Sequence, residues 1–327
     1  MRKSILFFLS AALLVAFAVP VLAVTISWVP VGNPGNANDP ATGNLYGGVA
    51  YNYNIGTYDV TNSQYAEFLN TKDPTGANTL GLWNSNMANA TVGGINFNAG
   101  NANGSKYTLI SGAQNHPVNF ATWYDSIRFA NWLNNGQGSG DTESGAYTLL
   151  HDGSPLPTPT PSNGLSITRN AGATVFLPSQ NEWYKAAYNI PATNSYYQYP
   201  TSSNTIPTAS SPTALPNHAN FFPGGPGTLT DVGAYSGTTS PYGAFDMGGN
   251  VFQWNEALIS GSFRSLRGGS WAEFASVLQS SLRSSFDPAV GNDDVGFRVA
   301  SLVPEPSTAV LAVIACGMMW MLRKRFK

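Results

Sequence analysis

The sequence predicts an irregular α+β domain, a single body of short helices, short strands and long loops. Three observations lead there. Glycine (34) and proline (22) are abundant among the 327 residues and asparagine is frequent, so much of the chain must turn. With 43% hydrophobic and 12% aromatic residues, the chain has enough apolar surface for a sizeable core, which excludes wholesale disorder. Three segments, finally, carry helix-start chemistry followed by apolar residues at helical spacing.

Taken in chain order, Arg2-Lys3 precedes an uncharged apolar run from Ile5 to Val19, and Val21-Leu22-Ala23 supplies small residues where a signal peptidase cuts. This pattern predicts an export signal over residues 1–23, with a buried first helix as the alternative. Thr61-Asn62-Ser63-Gln64 has capping-box spacing and is followed by Tyr65, Phe68 and Leu69 on one face. Thr122-Trp123-Tyr124-Asp125 opens a second helix, with Ile127, Phe129, Ala130 and Leu133 as its apolar side and Asn134-Asn135-Gly136 as its stop. Ser179-Gln180-Asn181-Glu182 opens a third, ahead of Trp183, Ala186 and Ala187. Between them, 84–105 is rich in Asn and Gly, while 151–164 and 200–216 are rich in Pro, Ser and Thr. These read as long surface loops. Strand-like pieces stand at 174–176, 265–267 and 296–301, and one domain over 24–302 is the simplest organisation.

The C-terminal segment 303–327 begins Val303-Pro304-Glu305-Pro306, continues as an apolar stretch from Ala309 to Leu322, and closes on Arg323-Lys324-Arg325-Phe326-Lys327. The stretch is short for a bilayer, and the basic end predicts a cytoplasmic terminus. Pro-Glu-Pro, short span and basic end together resemble the PEP-CTERM sorting signal of Gram-negative bacteria. The resemblance implies an exosortase-type partner beside signal peptidase, membrane contact only through the span before processing, and delivery to the cell surface or extracellular matrix. An ordinary membrane anchor is the alternative.

Between residues 24 and 303 stand nine Lys and Arg against sixteen Asp and Glu, with no basic stripe, which argues against a nucleic-acid partner. The single cysteine, Cys316, lies in the C-terminal stretch. The body therefore has no thiol for a disulfide, a nucleophile or a soft metal.

Landmarks recur along the body: Tyr58-Asp59-Val60-Thr61, His116-Pro117-Val118, Trp123-Tyr124-Asp125, Leu177-Pro178-Ser179, Glu182-Trp183, Gly249-Asn250-Val251-Phe252-Gln253-Trp254, Leu266-Arg267-Gly268-Gly269-Ser270-Trp271 and Gly296-Phe297-Arg298-Val299. In this order they resemble the formylglycine-generating enzymes, or sulfatase-modifying factors. The resemblance implies a C-type-lectin-like fold, which hosts enzymes and binding modules alike. It also places the family's copper-binding cysteines, just before the Arg283-Ser284 motif, on Ala275 and Ser280. Neither forms a thiolate, so copper-dependent formylglycine generation is not expected.

Some relatives are non-haem iron enzymes, yet His116, His151 and His218 share no ligand spacing. The resemblance further places calcium ligands on Asp246, the carbonyls of Gly249 and Val251, and Gln253, where an amide replaces a carboxylate. A second calcium site would use Asn220 and the Phe221 carbonyl. Trp254, Trp271, Arg283 and Phe286 fall near the family's substrate groove, which suits a peptide or a glycan. The leading expectation is thus an exported, surface-sorted, non-catalytic binding or matrix module, with Ca²⁺ as its cofactor. The alternative is a family-type oxidoreductase built on a different, iron-based centre, and a third reading is a purely structural matrix protein.

Overall fold

All three helices form where their capping boxes stand. In the computed structural model, which describes residues 23–153 and 158–303, α1 spans Asn62–Lys72, α2 spans Trp123–Asn134 and α3 spans Gln180–Tyr188. Each box is reciprocal: Thr61 Oγ1 accepts from the Gln64 N–H while the Gln64 side chain accepts from the Thr61 N–H at 2.9 Å. Asp125 returns the same bond to Thr122, and Glu182 returns it to Ser179 at 2.6 Å. The exchange satisfies amide donors that a helix start leaves open, worth about 1 kcal/mol per cap. α2 stops as expected: Gly136, at φ 82°, donates to the Leu133 carbonyl, and Gln137 donates to that of Trp132.

The interior of α2 departs from the expected one-sided pattern. Besides its apolar residues, Asp125, Ser126, Arg128 and Asn131 are buried. Arg128 is tolerated because its guanidinium forms two parallel bonds to Glu143, at 2.8 and 2.9 Å. Tyr65 and Phe68 of α1, Phe129 and Trp132 of α2, and Phe297 pack as one aromatic cluster, with centroid distances of 5.4 to 6.3 Å.

Two four-stranded sheets flank this core. In the first, Trp28–Val31, Tyr53–Gly56, Ala300–Leu302 and Val175–Phe176 lie side by side, all pairs antiparallel. In the second, the order is Ser284–Phe286, Phe263–Arg267, Phe252–Ile259 and Val295–Gly296, the last pair parallel. The single strand expected over 296–301 is therefore two, one in each sheet. Phe297 to Val299 carry the chain across, and Arg298 stands at the crossing with its side chain fully buried.

Two of the expected loops carry structure. The segment 84–105 holds the 3-10 turn Ser85–Ala88 and the strand Ile95–Phe97, which pairs with Tyr107–Leu109. Met87 and Ile95 enter the core, an anchorage that composition alone did not reveal. Within 200–216, Thr208–Ala209 pairs with His218–Ala219. Among the described residues no helix is long and apolar enough to cross a membrane. The export signal over 1–23 (Ala23 apart) and the sorting signal with its span (from Pro304 on) lie outside the described residues.

Candidate functional site

Arg298 organises the junction between the sheets. Its Nε donates to Gln253 Oε1 at 2.7 Å, Nη1 to the Gly56 carbonyl at 2.8 Å and Nη2 to the Phe245 carbonyl at 2.9 Å, and the Asp59 carboxylate lies 3.1 Å from Nη2. Asp59 is fully buried; burial pushes its carboxyl up to about 7 against the pull of Arg298, with Asp246 adding to the rise. Burial likewise raises Asp246 to about 6, although the Gly233 N–H, donating to its Oδ2 at 2.6 Å, and Arg298 oppose the shift.

This geometry bears on the two expected calcium sites. Gln253 Oε1 already accepts from Arg298 and from Trp183 Nε1 at 2.6 Å, while its Nε2 donates to the Asp246 carbonyl at 2.7 Å. A guanidinium stands where a cation's ligand would have to face, so the set Asp246, Gly249, Val251 and Gln253 does not fit a hard cation. The Asn220 set fits better. Asn220 Oδ1 is a buried acceptor without a partner, and so is the hydroxyl of Thr230. A Cβ built on Gly225 would meet both Asn220 Oδ1 and the Phe221 carbonyl oxygen at 2.7 Å, so these two oxygens converge on one small cradle. The donors are neutral, since no Asp or Glu occurs from Phe222 to Thr230.

The four residues expected to line a groove do not form one surface. Trp254 is fully buried and donates to the Ala121 carbonyl at 3.1 Å, which makes it core; Phe286 packs on it at 6.4 Å. Arg283 is exposed and lies 5.5 Å from the centre of the Tyr46 ring. Trp271 is half-buried, its backbone N–H bonded to the Asn250 carbonyl. At the family's cysteine positions, Ala275 opens the 3-10 turn Ala275–Leu278. Ser280 is buried beside Arg267, whose Nη1 donates to the Ser280 carbonyl at 2.9 Å.

The three histidines have three separate partners. His151 Nε2 is 2.8 Å from Glu143, His218 Nδ1 is 3.0 Å from Ser210 Oγ, and His116 Nε2 is 3.6 Å from Asp231. Among the described residues no group of three or more His, Cys, Asp or Glu is placed to hold a metal.

A cleft of about 330 Å³ that the sequence reading did not anticipate opens between α3 and the Phe252–Ile259 strand, lined by Tyr147, Ile167, Thr168, Arg169, Ser179, Gln180, Asn181, Glu256 and Ala257. The ladder of that strand shifts register between Trp254 and Leu258, the irregularity from which Glu256 projects. Arg169 binds Glu256 at 2.8 Å through both Nε and Nη2, and binds Glu182 at 2.9 and 2.6 Å, while its guanidinium covers the Phe176 ring at 3.5 Å. Tyr147 donates to Glu256 Oε1 and Tyr51 to Glu182 Oε1, each at 2.6 Å. The signal for this site was present in part: Glu182 is the return residue of the third capping box, and Glu256 is an acid inside a strand of mostly apolar residues.

An α+β domain with three boxed helices, a sheet-bridging arginine and these ordered motifs is of the sulfatase-modifying-factor class. The family model of the sulfatase-modifying factor enzyme 1-like domain matches residues 46–303, and the chain belongs to that family. Hercynine oxygenase of Mycolicibacterium thermoresistibile is 32% identical over 147 residues, covering 38% of this chain and 31% of the relative. The Mycobacterium tuberculosis hercynine oxygenase is 32% identical over 145 residues, covering 38% and 32%. The chain thus spans about a third of the length of these curated relatives. Among solved structures, Treponema denticola variable protein 1 superposes with a TM-score of 0.57 at 21% identity, covering 86% of this chain and 97% of that one. CarF gives a TM-score of 0.52 at 23% identity, covering 86% and 99%. At such identities the likeness concerns the fold.

Proposed function

We propose that this chain is a non-catalytic binding module of the family, C-type-lectin-like in fold, exported by residues 1–23 and sorted to the cell surface or matrix by 303–327. The observation that carries the reading is the state of the family's cysteine positions. Ala275 offers no ligand, the Ser280 hydroxyl titrates far above a thiol and is a poor ligand for soft copper, and residues 24–303 contain no cysteine at all. What the fold keeps is a preformed cleft with a few converging polar groups, the general form of a ligand site. Calcium, if bound, would be held by Asn220 and the Phe221 carbonyl, where it would supply a structural cross-link within that loop.

The curated relatives' names favour a second reading, an oxygenase, which in this cysteine-free body would need a different centre such as iron. Metal analysis of the purified chain, together with oxygen uptake in the presence of a thiol, separates the two. The binding reading expects neither stoichiometric iron or copper nor thiol-dependent uptake; finding both establishes the oxidoreductase and removes the module.

A further inference from the structure

We propose that the cleft between α3 and the Phe252–Ile259 strand is a lysine-reading pocket, which takes the ε-ammonium of a lysine in a peptide segment against the carboxylate of Glu256. The inference rests on the binding reading and gives it a ligand class.

The argument begins with the lone pairs. Glu182 is saturated: Oε1 accepts from Tyr51 and Arg169, and Oε2 from Arg169 and the Ser179 N–H. Glu256 Oε1 is also filled, by Tyr147 and Arg169 Nε, whereas among the described residues Oε2 accepts only from Arg169 Nη2. Glu256 is the carboxylate with room for one more donor, and its side chain, 18% exposed, reaches the cleft. The other nearby cation, Arg264, lies over the Trp123 ring and directs Nη1 and Nη2 at main-chain carbonyls, that of Glu256 among them, while its buried Nε has no partner among the described residues. Burial, with Glu182 adding to it, holds the Glu256 carboxyl above its ordinary range, so an arriving positive charge relieves an unfavourable state.

The walls select the rest of the ligand. The lining is mostly apolar, Ala257 and the largely buried Ile167 within it, and among the described lining residues no aromatic face is open to stack a sugar ring, because Arg169 covers Phe176 and Tyr147 is fully buried. An alkyl stem ending in a point charge matches such walls. One open lone pair suits an ammonium better than a guanidinium, whose fork is best met by two parallel acceptors. At the start of α3 the Gln180 amide is taken by Ser265 and Arg267 and Asn181 Oδ1 by the Gly47 N–H, which leaves the Ser179 O–H and the Asn181 amide N–H to meet the peptide backbone.

The test uses the full chain and fluorescein-labelled pentapeptides Gly-Ala-X-Ala-Gly, with X as lysine, norleucine or arginine, read by anisotropy. The lysine peptide is expected to bind at least about tenfold more tightly than the norleucine peptide, the worth of one hydrogen bond to a charged group, and more tightly than the arginine peptide. Binding is expected to weaken with salt. Glu256→Gln removes the charge, and Ala257→Phe fills the cleft while keeping every residue of the ion cluster; each should abolish the preference, with a thermal melt confirming that the variant folds. Equal binding of lysine and norleucine peptides, or an unchanged preference in a folded Ala257→Phe protein, overturns the proposal. Preference for a glucosamine oligosaccharide over the lysine peptide also overturns it while leaving the binding reading intact, and that reading falls separately, on the metal and oxygen-uptake measurements.

Discussion

Arg298→Met at pH 8 is expected to be among the most damaging single changes in this domain. The guanidinium is fully buried and holds together groups from both sheets: Gln253 on one side, the Gly56 carbonyl on the other, and the Phe245 carbonyl and Asp59 between them. Methionine preserves much of the volume and none of the donors. Asp59 then loses its counter-charge in a site closed to water, and removing one partner of a buried ion pair costs about 3–5 kcal/mol. Against a typical domain stability of about 5–15 kcal/mol that is a large share, and at this chain length it corresponds to a fall in melting temperature of about 10 °C. Asp59→Asn alone should cost less, because burial raises that carboxyl to about 7, so that at pH 8 its ionised form is held only weakly. The double variant should be more stable than the sum of the singles implies, by about 1.5 kcal/mol or more. Urea and thermal melts of the three variants measure all of this. A melt of Arg298→Met within about 2 °C of the parent, or strict additivity in the double variant, would refute the role assigned to the pair.

Three further outcomes are expected. Asp59 titrates near 7 in the folded protein, far above the unfolded value of about 3.9, so the folded state binds the extra proton and stability falls as pH rises through that interval. The melting temperature should therefore climb as pH drops from 8 to 6.5, and Asp59→Asn should flatten the climb; below 6.5 His116, whose pKa burial lowers, works in the opposite direction. Thr61→Ala, Thr122→Ala and Ser179→Ala should each cost about 1 kcal/mol in chemical denaturation, and a loss below about 0.3 kcal/mol would discount the caps. If calcium sits in the Asn220 cradle, millimolar Ca²⁺ should raise the melting temperature more than Mg²⁺ does; Asn220→Ala should erase the difference while Gln253→Ala does not.

The helices were legible because each is announced locally: a cap, its return residue three positions on, and apolar residues at the right spacing. Arg298 shows what was not. Its motif, Gly296-Phe297-Arg298-Val299, could be read as a landmark, but its job of joining two sheets depends on Gly56 and Gln253, brought together only by the fold. The partners of Gln253, drawn from the sequence as a calcium ligand, were hidden for the same reason, since nothing local says that Trp183 and Arg298 claim its oxygen. Conversely, Met87 and Ile95 are buried in a segment whose composition suggested a solvated loop. With Val92 and Phe97 packed against the same core, these side chains fix a stretch of Asn and Gly whose hairpin supplies the backbone partners. The cleft at Glu256 was hidden because that residue stands 87 positions from Arg169, its partner in the ion cluster.

The strands Trp28–Val31 and Ala300–Leu302 both run antiparallel to Tyr53–Gly56, which lies between them, so they run parallel to each other, and the chain enters the one and leaves the other at opposite ends of the strands. Tension applied between the two ends of the domain would act along the strands, loading the rungs of both ladders at once instead of opening them one after another. A protein held at one end and dragged at the other by flow would on this account resist by shear, the stronger of the two ways a sheet can be pulled.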